Sequence, residues 1–516
     1  MQQGPRNPFL ADSGYPIAHG RCDQQDSSEL AGPNGPTEVL PSTALQYAWL
    51  GSGHFGGLIS SPYPDGRRVI WSNGRQTIAK LDYDTLEVLA TIETGNGPLV
   101  PQAEMEEGLR RLDELRGQDA VDHAIVMGLT YLVGLDGVYA LVDRDNTLFL
   151  GTTTTVVAYV ESDPTDPASS IVERSRWERP PHIDGGFVGV NITFDGRLLL
   201  STDHGWLVCL ARDFSDYVAI QLPGAAEDAA AHWTRMEANA RSGYGWVRTS
   251  ICVDEDNGIY LSSVDHTHKV VWTGERLSLD ETDGAWSARY RNGRSWGSGT
   301  TPSLMGFGPD EDRFVVIGDG DDVVNITLFW RDEIPDDWDQ LPNAPSRRIA
   351  GIGPAHMGDP DLAEIQTEQS ITVCGYGAMT VNNDARNVPP GLPPRAGRLL
   401  CAFLGHDPTY TPFGMHKYEW HPDTRSFDEA WVCTSVSSPN SVPFVSVGSD
   451  LVYTCGTREW KWTIEAVDWS TGEPAFHYVL GGSRFNTLFA GVTLDDDGRL
   501  LFGTMFGKAR VLRTAS

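Results

Sequence analysis

Short runs of alternating apolar and polar residues, separated by tight turns, recur along most of the chain. Residues 486–513 (NTLFAGVTLDDDGRLLFGTMFGKARVLR) are typical and predict three strands, with Asp497-Gly498 at the first turn. A period of two is typical of strands with one buried face, and Asp-Gly between such runs predicts a hairpin because glycine tolerates positive φ. Each unit of this kind predicts an antiparallel sheet.

Eight such units follow one another along the chain. They span residues 56–92, 138–177, 187–222, 246–291, 301–330, 370–433, 442–480 and 486–513. Four antiparallel strands repeated at this spacing are typical of a β-propeller, whose sheets, or blades, surround a central axis. We therefore predict an all-β propeller with eight blades, or with seven if one of the looser units is an insertion.

The last unit supplies three strands, and residues 45–50 (LQYAWL) predict a lone strand near the N-terminus. Pairing the two would close the ring and leave no exposed sheet edge there. Residues 1–43 lack periodicity and predict an extended arm, so residues 44–516 would form a single propeller domain. His19 and Asp26 lie in this arm, which either covers blade edges or reaches the central funnel.

Three inserts interrupt the β pattern. Segments 103–117 and 225–243 are rich in helix-forming residues, and both predict helices between blades. They would lie on the face that carries the blade-to-blade linkers. The acidic segment 331–345 predicts a loop.

Composition limits the partners and the compartment. The formal net charge of −31 argues against nucleic-acid and anionic-membrane partners, which need clustered Lys and Arg, and no run of eighteen apolar residues occurs. The seven cysteines are odd in number and form no CxxC, so we expect free thiols in a reducing, cytoplasmic location. A secreted or periplasmic location is the alternative if a leader was removed. The sequence does not indicate an oligomeric state.

One segment carries a resemblance to a known family. Residues 466–478 (AVDWSTGEPAFHY) resemble the blade repeat of the quinoprotein alcohol dehydrogenase-like propellers, with Ala466, Asp468, Thr471 and Gly472 at the repeat positions and Phe476 in place of its Trp. The resemblance implies the same fold over residues 44–513. Family enzymes that bind pyrroloquinoline quinone commonly have an adjacent cysteine pair over the cofactor. No two cysteines are adjacent here, which argues against that cofactor.

Propeller geometry sorts the polar residues by face. Linkers and second-to-third strand turns share one face, where ligand funnels usually form, while the Asp-Gly turns lie on the other. Asp203-His204 and Asp265-His266, with His268, fall in such turns of consecutive units. Imidazole and carboxylate are ligands for Zn, Mn, Fe or Cu, so these five residues predict metal-ligating or acid–base groups. The alternative is that they only shape their turns.

A second set of polar residues would surround the funnel mouth, at the starts of the innermost strands. Arg248 is the predicted anchor for a substrate carboxylate or phosphate, with a salt bridge to a nearby acid as the alternative. The other predicted substrate-binding residues are Thr300, Thr301, Ser370, Asn440 and Asn486.

These observations predict an enzyme acting on a small, anionic molecule in the funnel by metal-assisted hydrolysis, elimination or oxidation. Units that differ from one another in their inner polar residues favour this class. The alternatives are a non-catalytic binding or scaffold propeller and a quinoprotein-like oxidoreductase.

Overall fold

The computed structural model describes residues 2–226, 246–294, 297–392 and 396–515, and within these ranges the chain is nearly all β-strand. Eight sheets of at least four strands are present, which we number 1 to 8 along the chain. Sheet 1 comprises Leu58–Ile59, Val69–Asn73, Thr77–Asp82 and Val88–Glu93, and sheet 2 comprises Ala140–Val142, Leu148–Gly151, Thr155–Glu161 and Ile171–Glu178. Sheet 3 comprises Phe187–Ile192, Leu198–Thr202, Trp206–Leu210 and Tyr217–Gln221. Sheet 4 comprises Cys252–Val253, Gly258–Ser262, His266–Trp272, Leu277–Ser278 and Trp286–Arg289.

The remaining sheets follow the same antiparallel order, and the last closes the ring. Sheet 5 comprises Ser303–Met305, Phe314–Gly318, Asn325–Trp330 and Ile349–Pro354, and sheet 6 comprises Thr372–Cys374, Gly377–Val381, Met415–His421 and Ser426–Cys433. Sheet 7 includes Phe444–Ser446, Leu451–Arg458, Lys461–Asp468 and Pro474–Gly481. Sheet 8 comprises Val492–Leu494, Leu500–Thr504, Gly507–Val511 and Leu45–Trp49. Leu45–Trp49 pairs antiparallel with Gly507–Val511, as predicted for LQYAWL. Strands from both ends of the chain thus share sheet 8.

The first strand of each sheet is the innermost. First strands of consecutive sheets contact one another between sheets 1 and 4 and between sheets 5 and 8, so they surround a common axis. The second strands are buried on both faces, as in Val69–Asn73, and bury most of the apolar surface between neighbouring sheets. The predicted all-β propeller is confirmed.

The N-terminal arm passes through the centre of the ring. Backbone carbonyls between Tyr15 and Asp26 accept hydrogen bonds of 2.8–2.9 Å from the first strands of six sheets. The donors are the amides of Ile59, Val142, Val253, Leu304, Val373 and Val445. Ser27–Ser28 then pairs in parallel with Phe444–Ser446 of sheet 7. Because the first strands surround the axis, their shared partner lies at the axis, and the arm reaches the funnel.

In the described part of the chain, three helices lie on the linker face: α1 (Gln102–Glu114), α2 (Gly117–Tyr131) and α3 (Ala396–Leu404). They form one apolar cluster with linker and turn residues such as Leu488 and Phe506. Helix α1 confirms the prediction for 103–117, and 331–345 is a loop as predicted. Apart from its first two residues, the helix predicted at 225–243 lies outside the described residues. No helix that the structure describes is long and apolar enough to cross a membrane.

Helices α2 and α3 correct the sequence interpretation. RLLCAFLG (398–405) belongs to the sixth unit of the predicted strand pattern, which implies a strand, but Leu400, Phe403 and Leu404 share one face of α3 and pack in the cluster formed with α1 and α2. A short apolar run fits either structure, and only its packing partner decides. Helix α2 was not predicted, although its buried Val121, Ala124 and Met127 have helical spacing.

Candidate functional site

A funnel opens on the linker face at the centre of the ring and encloses a cavity of about 380 Å³. Its walls are the linkers that precede the first strands, together with residues that follow α2 and one residue of α3. Its floor is the arm, through Tyr15, Ala18 and His19. The arm therefore closes the channel that a propeller would otherwise leave along its axis.

The floor holds a buried histidine–carboxylate pair. Nδ1 of His19 lies 2.7 Å from Oδ2 of Asp26, and both side chains are more than nine-tenths buried. Burial raises the pKa of Asp26, although the adjacent imidazole opposes this shift. Among the described residues, the Asp26 contact is the one hydrogen bond of the imidazole, and it fixes the ring of a residue that lines the cavity. A histidine oriented in this way can accept or donate a proton at Nε2.

The backbone that presents this pair is strained. His19, Gln24 and Asp26 have φ values of 63°, 57° and 54°, in the left-handed region that non-glycine residues avoid. Surrounding hydrogen bonds hold them there, including that from the His19 amide to the Tyr15 hydroxyl at 3.2 Å. Such strain concentrates at functional sites, where tertiary contacts fix the geometry that a reaction needs.

One wall of the funnel is polar. An Nη atom of Arg248 lies 3.4 Å from Oε2 of Glu368, and its second Nη donates to the carbonyl of Ser298 at 2.8 Å. Ser370 lines the same wall, and its Oγ accepts a hydrogen bond of 3.1 Å from the amide of Thr301. Tyr139 lies beside His19, with ring centroids 6.3 Å apart. This wall can contact an ionic or hydrogen-bonding ligand.

Apolar side chains also line the cavity, and we refer to them as its apolar wall. They are Leu132, Leu135 and Val138, at and after the end of α2, with Leu399 of α3 and Phe489 in the linker before sheet 8. The funnel thus offers a ligand both polar and apolar contacts.

The predicted metal ligands in sheets 3 and 4 do not line this funnel, and each has a structural partner. Oδ1 of Asp203 accepts from the amide of Gly186 at 2.8 Å, and burial raises the pKa of Asp203. His204 lies 3.1 Å from Asp184 through Nδ1. Within the described ranges, no three His, Cys, Asp or Glu side chains are grouped to hold a metal ion.

The predicted metal ligands in and next to sheet 4 also lie outside the funnel and have local partners. Oδ1 of Asp265 accepts from Asn292 at 2.9 Å, and Nε2 of the buried His268 lies 2.9 Å from Oγ of Ser263. Burial lowers the pKa of His268 to about 3, and His266 lies beside it with ring centroids 5.8 Å apart. In the part of the chain that the structure describes, these histidines have local partners and do not group with His204 into a set of three metal-ligating side chains.

The predicted substrate-binding residues divide into two groups. Arg248 and Ser370 line the funnel, and Thr301 supports Ser370 from behind. Asn440 and Asn486 are instead fully buried, bond each other at 2.9 Å and donate to the carbonyl of Ala402. They hold α3 on the linker before sheet 8. Thr300 is also buried, and its Oγ1 accepts from the amide of Gly318.

Sequence reasoning did not assign the floor of this site. His19 and Asp26 were recognised as arm residues, but neither was given a role, and Tyr15, Tyr139 and Glu368 were not singled out. The one available signal was PIAHGRCDQQD (16–26), which combines histidine, cysteine and acids in a segment that has no secondary-structure pattern of its own.

Comparisons with known proteins bear on the fold. No protein-family model matches the chain. An uncharacterized protein from Archaeoglobus fulgidus is 28% identical over 518 residues, covering 98% of this chain and 89% of that protein. Quinohemoprotein alcohol dehydrogenase from Comamonas testosteroni superposes with a TM-score of 0.56 and 11% identity, covering 99% of this chain and 82% of that one. The chain has the quinoprotein-like propeller fold. BamB from Moraxella catarrhalis aligns less closely, with a TM-score of 0.45 and 8% identity over 90% of this chain and 96% of that one.

Proposed function

We propose that the protein is an enzyme that acts on a small anionic molecule in the central funnel, with His19 as the group that transfers a proton. The observation that carries the proposal is the His19 imidazole on the funnel floor, with its Nδ1 held by Asp26 at 2.7 Å. A base oriented by a carboxylate is a recurring arrangement in general acid–base catalysis. Removal or addition of a proton at Nε2 suits hydrolysis or elimination.

Arg248 supports the anionic nature of the substrate. Its guanidinium lines the same cavity as His19, and its contact with Glu368 holds it there. A substrate carboxylate would share the guanidinium with Glu368, which places the anion on the polar wall of the cavity that His19 also lines. Ser370 and Tyr139 add hydroxyl groups that can orient the substrate.

The test is a screen for proton transfer. The full chain is incubated in D₂O with a panel of small carboxylic acids and esters, and proton NMR follows product formation and deuterium exchange at substrate carbons. We expect His19→Asn to lower the rate by about 10²–10⁴-fold, as for removal of a general base, and Asp26→Asn to lower it by at least about tenfold. His421→Asn is the matched control, because His421 and Asp428 form an exposed pair outside the funnel.

Wild-type turnover by His19→Asn would refute the assigned role of His19. Absence of both turnover and exchange across the panel would favour the binding or scaffold class over an enzyme.

A further inference from the structure

The apolar wall of the funnel indicates what the substrate carries besides its anion. Val138 and Leu399 both line the cavity, yet 45% and 54% of their respective surfaces are exposed. Leu132 and Leu135 continue this wall beside them. Large apolar side chains exposed together at the edge of a cavity are typical of a binding surface. The cavity is closed below by the arm, so its occupant is a small molecule rather than a second protein surface.

The polar wall limits how such a molecule can lie. Arg248 and His19 belong to the same cavity as Val138 and Leu399. A wholly apolar ligand would remove water from the guanidinium and the imidazole and supply no hydrogen bond in exchange, which is unfavourable even though both groups keep their protein partners. A wholly polar ligand would leave the apolar wall in contact with water. A molecule with one charged end and one hydrocarbon end satisfies both walls.

We propose that the substrate is an amphiphilic carboxylate, with its carboxylate at Arg248 and its hydrocarbon part against Leu132, Leu135, Val138 and Leu399. This inference rests on the proposed function, because it assigns the substrate class of the same site. The carboxylate end then lies on the side of His19, and bonds near that end are the ones within reach of the imidazole.

The experiment measures the affinity of the full chain for straight-chain carboxylates. Butanoate, hexanoate, octanoate and decanoate are titrated by calorimetry below their critical micelle concentrations. Each added methylene that reaches the apolar wall should lower the Kd about three- to fourfold. Val138→Gln should raise the Kd of octanoate severalfold. Val88→Gln is the matched control, because Val88 is also 45% exposed but lies on the outer strand of sheet 1. It should leave the Kd unchanged.

Variant Arg248→Gln separates the two proposals, because it removes the anchor for the head and leaves the tail contacts in place. It should weaken all four carboxylates by a similar factor. If the Kd does not depend on chain length but Arg248→Gln still weakens binding, the proposal of an amphiphilic substrate is refuted, whereas the proposal of an anionic substrate is kept. Chain-length dependence that Arg248→Gln does not change would support the hydrocarbon contacts and refute the anion anchor. Equal weakening by Val88→Gln, or no binding at all, would overturn the inference.

Discussion

The docking of the arm in the ring leads to a quantitative prediction for Ile17→Ala. Ile17 is 1% exposed and forms a backbone bridge with Leu141, the middle residue of the first strand of sheet 2. Its side chain packs in the apolar cluster that also contains residues of sheets 3 and 4. Truncation of a buried isoleucine to alanine costs about 2–5 kcal/mol, and the cost is larger where the surroundings cannot collapse into the cavity.

The arm has little freedom to collapse around position 17. Carbonyls of Tyr15 and Pro16 on one side, and of Cys22 on the other, are fixed by hydrogen bonds to three different sheets. We therefore expect Ile17→Ala to lower the free energy of unfolding by about 3 kcal/mol, within the measured range for such truncations. Guanidinium denaturation followed by tryptophan fluorescence and circular dichroism measures this change.

Val39→Ala supplies the control, because Val39 also belongs to the arm but is 75% exposed. It should change the unfolding free energy by no more than about 0.5 kcal/mol. An Ile17→Ala effect as small as that of Val39→Ala would mean that the arm does not fold with the ring, and the account of the funnel floor would be wrong.

Three further predictions concern the described residues. Cys22 is buried in the arm, and burial raises the pKa of its thiol. A thiol reagent should therefore modify the half-buried Cys374 first. Modification of Cys22 before global unfolding would contradict a docked arm. Burial lowers the pKa of His54 and of His268 to about 3 from 6.5, so the unfolded state binds more protons between these values. Stability should therefore fall as pH drops from 6.5 towards 3, by about 1 kcal/mol per pH unit for each histidine. His54→Gln should reduce the measured slope by that amount, and an unchanged slope would refute the assignment. The net charge of −31 destabilises the folded chain by self-repulsion, which salt screens. The melting temperature should therefore rise between low salt and 1 M NaCl, where the Debye length is about 3 Å. A flat or falling melting temperature would show that self-repulsion does not limit stability.

Much of the fold could be predicted because its signals are local. Asp497-Gly498 lies at the turn between the first two strands of sheet 8, and the lone strand at 45–50 closes the ring. Period-two alternation and hairpin turns report directly on neighbouring residues. The segment that became α3 was misassigned because its short apolar run fits either a strand or a helix, and only contact with α2 decides between them.

The site was less predictable because its parts are brought together by distant contacts. Arg248 and Ser370 could be placed in the funnel since each lies close before a first strand. The bond between His19 and Asp26 depends on the path of an arm that has no secondary-structure pattern. That path is fixed by hydrogen bonds to strands up to 440 residues away in sequence. Histidines in turns attracted attention by type, yet His204 and His268 satisfy local partners instead.

If His19 on the funnel floor contacts the ligand, its NMR signal should respond to ligand binding. The protein is labelled with ¹³C at histidine Cε1, and the His19 signal among the thirteen histidines is identified by its loss in His19→Asn. Saturation with octanoate should shift the His19 signal in the wild type and should leave the signal of the distant His421 in place. A His19 signal that stays unmoved at saturation would contradict the account, because the ligand would then bind away from the funnel floor.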